Sequence, residues 1–488
     1  MNATLLAIDA GTTGVRALLF DDQSQLIASA YREVLPSYPQ PGWVEHDAEQ
    51  IWRAVEEVVA RALHQAGTAA VRALAAVGVA NQRSTTLVWE RGSGRPVHPA
   101  IVWQDLRTAA RVAELLDNGI YTNTMASATK LEWLLQHTPE GFARAEAGEL
   151  CFGTIDSWLV WKLSDGGAHV TDHSNASCTG LYDFALGGWD PSLLAALRIP
   201  ERMLPQIHFS SEVHARTSTP SVPGAVPIAG IAGDQQAAMF GELNTEPGSV
   251  KITYGTSAMI DIHVGDFPVL SQRGAYPLVL CGRNGQRPYC LEGTAITAGA
   301  AVQWLRDGLG LLSDPADSAA LAASVPDSGG VWAVPAFQGL GTPYMDPKAR
   351  AVIGGLSRGS TRAHVVRAIL EGIAFRSREV LETLLEDAAT PPPAVLRVDG
   401  GAAANDFLLQ ALADTLGIPV ERPEVVQATG LGAVYLAGLA VGVWKDLEEL
   451  RNRWRSGGRF EPRLGADERD TRFHRWRQAL TTARAALI

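Results

Sequence analysis

No stretch of this chain is strongly basic. Lys and Arg total 41 against 52 Asp and Glu, a formal charge of −11, and the cations are dispersed. Nucleic acid and anionic membranes are therefore poor partners, because both draw their affinity from clustered Lys and Arg. Cysteine is scarce. Cys151, Cys178, Cys281 and Cys290 show no CxxC or Cys/His metal spacing, so reduced thiols and a cytoplasmic setting are expected. Long apolar runs are missing too. Leu431 to Trp444 is the longest uncharged one, too short for a bilayer and broken by glycines, and it reads as a buried helix. Residues 1–8 are apolar apart from Asn2 and Thr4, yet they lack a basic leader and end at Asp9, so no signal peptide is expected. Neither a GxGxxG following a strand nor a Walker A motif occurs, which argues against a dinucleotide fold and a P-loop.

What is present is globular. With 46% apolar and 19% charged residues over 488 positions, the chain can bury two large cores or about three smaller ones. Leu5–Asp9 and Val15–Phe20 read as strands around a hydroxyl-rich tip, Ala10-Gly-Thr-Thr-Gly14. The design recurs at Ser249–Tyr254, Gly255-Thr-Ser257 and Ala258–Ile262. Two such hairpins, so far apart, suggest a duplicated domain rather than a solenoid. Helical patterns at 47–65, 130–136 and 157–163 alternate with strands at 75–80 and 85–89, the mark of an α/β domain. The second half repeats the mixture, with helices expected at 295–307, 362–386, 407–416 and 430–441. The boundary is expected near residue 243, giving domains 1–243 and 244–488.

Small residues, consecutive amides and hydroxyls suit the Asp9–Gly14 tip to a triphosphate, with Arg16 as an added cation. Asp9 would repel phosphate unless a hydrated Mg²⁺ intervened. One such tip is equally an ordinary Gly/Thr turn; two with matching flanks favour phosphate. A third glycine element, Leu396 to Asn405, runs from a strand through Gly-Gly into a helix and would admit a flat ring or a phosphate. Val226–Ala232 reads as a buried strand and Gln235 onward as a helix. Asp234 thus stands at a strand-to-helix corner, where it is either a helix N-cap or a carboxylate aimed into a ligand crevice.

Several blocks carry a resemblance: Asn81-Gln-Arg-Ser-Thr-Thr, Ile101-Val-Trp-Gln, Met125 to Trp133, Gly153 to Trp161, Thr171 to Ser177, Gly233-Asp-Gln-Gln, Tyr254-Gly-Thr, Ala298 to Arg306, Gly354 to Gly359 and Val398 to Gly401. Together they resemble the FGGY family of carbohydrate kinases, and within it most closely the glycerol kinases, from Ile8 to about Trp444. The resemblance implies two α/β domains of the ribonuclease H-like, actin and hexokinase type with a cleft between them. It also implies MgATP and a short polyol as ligands, and a tendency to homodimers or homotetramers. By residue it implies Asp234 as general base. Arg83, Ser84, Trp103, Asp234 and Gln235 would hold the alcohol. Thr12, Thr13, Gly14, Arg16, Gly255 and Thr256 would face the phosphates, Gly299, Gln303, Gly401 and Asn405 the nucleoside, and Asp9 a Mg²⁺ through water.

Three positions depart from the pattern. Ser84 stands where glycerol kinases carry Glu, Met125 where they carry Tyr, and Met259 where they carry Phe. Loss of a charged hydrogen bond worth about 1.5–3 kcal/mol leads us to expect a pocket for a different or larger short polyol, with glycerol poorer. The segment 217–226 has no Arg or Lys, so the fructose 1,6-bisphosphate inhibition known among bacterial glycerol kinases is not expected. The competing expectations are a kinase for a pentulose, tetritol or sugar acid, an actin- or chaperone-like ATPase, and a catalytically weak sensor.

Overall fold

A computed structural model describes residues 3–485. Residues 1 and 2 of the N-terminal apolar run and residues 486–488 lie outside that range. The chain resolves into two units. The first comprises 1–243, 279–287 and 428–453; the second comprises 244–278, 288–427 and 454–488.

The first unit is built on a six-stranded sheet in the order Ser211–Arg216, Pro227–Gly233, Leu74–Asn81, Thr4–Ala10, Gly14–Asp21, Leu26–Glu33. Numbered along the chain from Thr4–Ala10 to Pro227–Gly233, five of these strands lie in the order 3-2-1-4-5. Strand 1 is antiparallel to 2 and parallel to 4, and 4 is parallel to 5. Near-continuous apolar runs such as Leu5-Leu-Ala-Ile8 are what a sheet covered on both faces requires, and these side chains are fully buried. One cover is the helix Ala48–Arg72, begun by Asp47, whose carboxylate accepts from the amides of Glu49 and Gln50.

The other cover comes from far along the chain. The apolar run expected to be a buried helix is one as far as Ala440: the helix spans Ala428–Ala440, and 441–444 are turn. It approaches so closely that a Cβ at Gly78 would overlap the Ala433 carbonyl, and one at Gly432 the Ala237 carbonyl. Glycine here serves backbone contact, helix on sheet and helix on helix.

The second unit repeats the topology. Val250–Tyr254, Ala258–Gly265, Tyr289–Ala295, Leu396–Asp399 and Val420–Pro423 again stand in the order 3-2-1-4-5, within a seven-stranded sheet. The pairing senses are the same. Duplication, inferred from two hairpins, therefore extends to five strands of each sheet.

Local differences have simple causes. Residues 295–298 are not helical: the strand runs to Ala295 and the helix begins at Gly299. The strand expected at 85–89 is Leu87–Glu90, since Ser84 just before it takes a positive φ of 59°. The first long helix continues past 65 to Arg72, with Gly67 at φ 81° marking a kink.

Candidate functional site

Asp234 is the first residue of the helix Asp234–Gly241, and Gly233 is the N-cap. The capping alternative therefore does not describe it. Its Oδ1 accepts from the Gln235 amide at 2.8 Å, and the same oxygen lies 3.3 Å from Arg83 Nε. Both side chains are largely buried, at 14% exposure for Arg83 and 30% for Asp234. The corner is held from beneath. The Gly233 amide donates to Ser174 Oγ, which donates to Asp172. Asp172 also accepts from the Ser174 and Asn175 amides, the Asn175 side chain and Ser210 Oγ. Burial raises the Asp172 pKa and these donors oppose the rise. A Cβ at Gly233 would lie 2.7 Å from Arg83 Cγ.

The tip of the first hairpin is fixed through its carbonyls. Gln82 Nε2 donates to Gly11 O, His46 Nε2 to Thr12 O, and Tyr31 Oη and the Val34 amide to Thr13 O. Since Thr12 O can only accept, the His46 proton sits on Nε2. Trp103 Nε1 donates to Thr12 Oγ1 at 3.0 Å, which leaves the threonine proton for another acceptor. Two residues expected to serve different ligands are thus in direct contact. Asp9 pairs across the hairpin with Arg16. Burial, then the Asp234 charge, push the Asp9 carboxyl up to about 6, against the pull of Arg16. Ser84 Oγ donates to Cys178 O at 2.8 Å, and Ser84 O accepts from Ser127, so this hydroxyl is committed within the protein.

Sequence reasoning missed Lys130. It is fully buried, and its Nζ donates to Trp103 O and Met125 O at 3.0 and 3.1 Å. Burial brings its pKa down to about 7. The signal was a lysine set among Leu131, Leu134 and Leu135 in the helix Ala128–His137. Also missed was Arg107, stacked on Trp43 and Trp133 and bonded to Asp105 and Glu45, which anchors the loop after Trp103.

In the second unit the tip at Gly255–Ser257 is closed by Gly255 N to Ser257 O, a tighter closure than the Gly11 N to Gly14 O bond of the first tip. The Gly299 and Ala300 amides donate to the carbonyls of Gly255 and Thr256, and a Cβ at Gly299 would lie 2.5 Å from Gly255 O. Hairpin tip and helix start are therefore one piece. Gln303 is exposed on that helix and Gly401 exposed at the start of a 3₁₀ turn. Asn405 caps the helix Asp406–Leu416 through the Leu408 amide and donates to Ser318 Oγ. Met259 receives Thr294 Oγ1 at 3.6 Å from sulfur.

Comparison with known proteins agrees with this architecture. The FGGY family of carbohydrate kinases matches over residues 4–241 with its N-terminal domain and 250–441 with its C-terminal domain. A protein named glycerol kinase from Trichlorobacter lovleyi is 49% identical over 486 residues, 98% of each chain. One from Aromatoleum aromaticum is 50% identical over 490 residues, again 98% of each. The crystal structure of Plasmodium falciparum glycerol kinase with ADP superposes with a TM-score of 0.92 at 31% identity, over 100% of this chain and 98% of that one.

Proposed function

The chain belongs to the FGGY family of carbohydrate kinases, and on that premise we propose that it moves the γ-phosphoryl group of ATP to a hydroxyl of glycerol or a glycerol-like polyol of three or four carbons. The observation that carries the reading is Asp234 at a helix start, half-buried beside Arg83; relatives named glycerol kinase at about half identity over nearly the whole chain support it. Asp234 takes the hydroxyl proton as that oxygen attacks phosphorus in line. Arg83, Trp103, Gln235 and the wall at Ser84 orient the alcohol. Thr12, Thr13, Gly14, Arg16, Gly255 and Thr256 bind phosphate oxygens through hydroxyls, amides and one guanidinium. Gly299, Gln303, Gly401 and Asn405 bind the nucleoside. General-base action accounts for about 10²–10⁴ in rate, and positioning and charge neutralisation for more.

The acidic pair fits a divalent cation. A carboxyl raised to about 6 by burial and by Asp234 is relieved by positive charge, and Asp9 would hold Mg²⁺ through water. When bound, that ion neutralises charge on the phosphoryl oxygens.

A second reading, a kinase for a larger polyol or another sugar, is favoured by Ser84: no carboxylate stands there and its hydroxyl is used by Cys178 O. ADP release with MgATP and a panel of C3 to C5 polyols, pentuloses and sugar acids separates the readings. Highest kcat/KM with a C3 or C4 polyol is expected. A pentulose or sugar acid as best substrate favours the second reading, and ADP release indifferent to every alcohol rejects both.

Among the described residues no helix is long and apolar enough to cross a membrane. The four cysteines are free, which supports a cytoplasmic enzyme. A homodimer or homotetramer completes the proposal, to be tested by light scattering.

A further inference from the structure

We propose that His208, Glu212 and His214 form a binding site for a transition-metal ion of the Zn²⁺ class at the edge of the first unit's sheet. One ligand atom from each lies within 4.8 Å of the others. His208 Nδ1 is 2.8 Å from a Glu212 carboxylate oxygen, and the two imidazoles face each other at 5.6 Å between centroids, tilted by 39°. Tetrahedral bonds of about 2 Å set ligand atoms roughly 3.3 Å apart, so modest side-chain rotation closes the set.

The second observation is an unsatisfied ring. His214 is only 8% exposed, and neither of its nitrogens has a hydrogen-bond partner; the Ser210 backbone comes near without bonding geometry. A buried polar group left unpaired is costly, and a metal bond removes that cost.

Backbone irregularity explains the convergence. Ser211 pairs with Gly230 and Ala215 with Ile228, so Glu212, Val213 and His214 stand opposite a single residue. Such a bulge re-aims side chains. His208 ends the neighbouring short strand Gln206–His208, which pairs with Val170–Asp172. The ion would clip these two strands together at the edge of the sheet. Two nitrogens and one carboxylate select Zn²⁺, Ni²⁺ or Cu²⁺ over Mg²⁺. The partial exposure of His208 and Glu212 leaves room for water as a fourth ligand.

The test is equilibrium titration of the tag-free, chelator-stripped full chain with Zn²⁺ in excess Mg²⁺, followed by melting. One Zn²⁺ per chain is expected, with a higher Tm and with ligand-field absorption when Co²⁺ replaces it. His214→Ala and His208→Ala should each weaken binding at least about 100-fold, since even outer-shell changes cost 10–100-fold. Glu212→Gln, which preserves volume and fold, should weaken it at least about 10-fold. His474→Ala, on an exposed ring of the C-terminal helix, should leave it unchanged. No saturable Zn²⁺ binding by the parent, or parental affinity in both His214→Ala and Glu212→Gln, overturns the site.

Discussion

Arg83 Nε stands 3.3 Å from the Asp234 oxygen that also receives the Gln235 amide. Two donors thus converge on one oxygen of a carboxylate, which orients the group. If Asp234 is the base, Asp234→Asn keeps the shape and loses the proton acceptor. We expect kcat to fall about 10²–10⁴-fold with nucleotide affinity unchanged, read by steady-state kinetics and calorimetry. An Asn variant as fast as its parent removes the proposed base.

Gly233→Ala tests the positioning of Arg83. The added methyl would lie 2.7 Å from Arg83 Cγ and 2.7 Å from Gln236 Oε1, and side chains rather than backbone must yield. The protein should fold, with KM for the polyol raised about 10-fold, the order expected for one weakened charged hydrogen bond. A rise in KM for ATP alone would contradict this arrangement.

Asp9 makes stability depend on pH. Its carboxyl is raised from 3.8 to about 6 by burial and by Asp234, so between those values the native state binds more protons than the unfolded chain. Stability therefore falls as pH climbs from about 4 to 6, and the cost, at most ~3 kcal/mol for two units, stands in full above that. Asp9→Asn should melt higher than the parent at pH 7.5, and the gap should close by pH 4. A constant gap would show that Asp9 does not titrate this way.

Lys130 gives the opposite slope. Burial lowers its pKa from 10.5 to about 7, so the unfolded chain binds more protons across that window and stability rises with pH. Relative to Lys130→Met, the parent should gain stability from pH 7 to 9.5 in denaturant titrations. The variant also leaves the carbonyls of Trp103 and Met125 without their donor, so its polyol KM should rise.

The sheets and the Asp234 corner were legible because they rest on short-range signals: apolar strands, glycine tips and a helix start. Lys130 and Arg107 were not, since the bonds that define them cross 27 and 62 positions. Trp103 was expected at an alcohol and Thr12 at a phosphate; that one donates to the other follows from a loop whose path depends on the Arg107 stack. His208 and His214 carried no recognisable spacing, because the bulge that brings them together is a property of strand register.

The helix Ala428–Ala440, pressed by Gly432 against the backbone at Ala237, has a bearing on biosynthesis. The sheet bearing Asp234 is spelled out by residue 233, yet one of its two covers is translated nearly two hundred codons later. Until that segment leaves the ribosome, any sheet formed from the earlier strands would lack this helix on one apolar face, a surface prone to aggregation during synthesis.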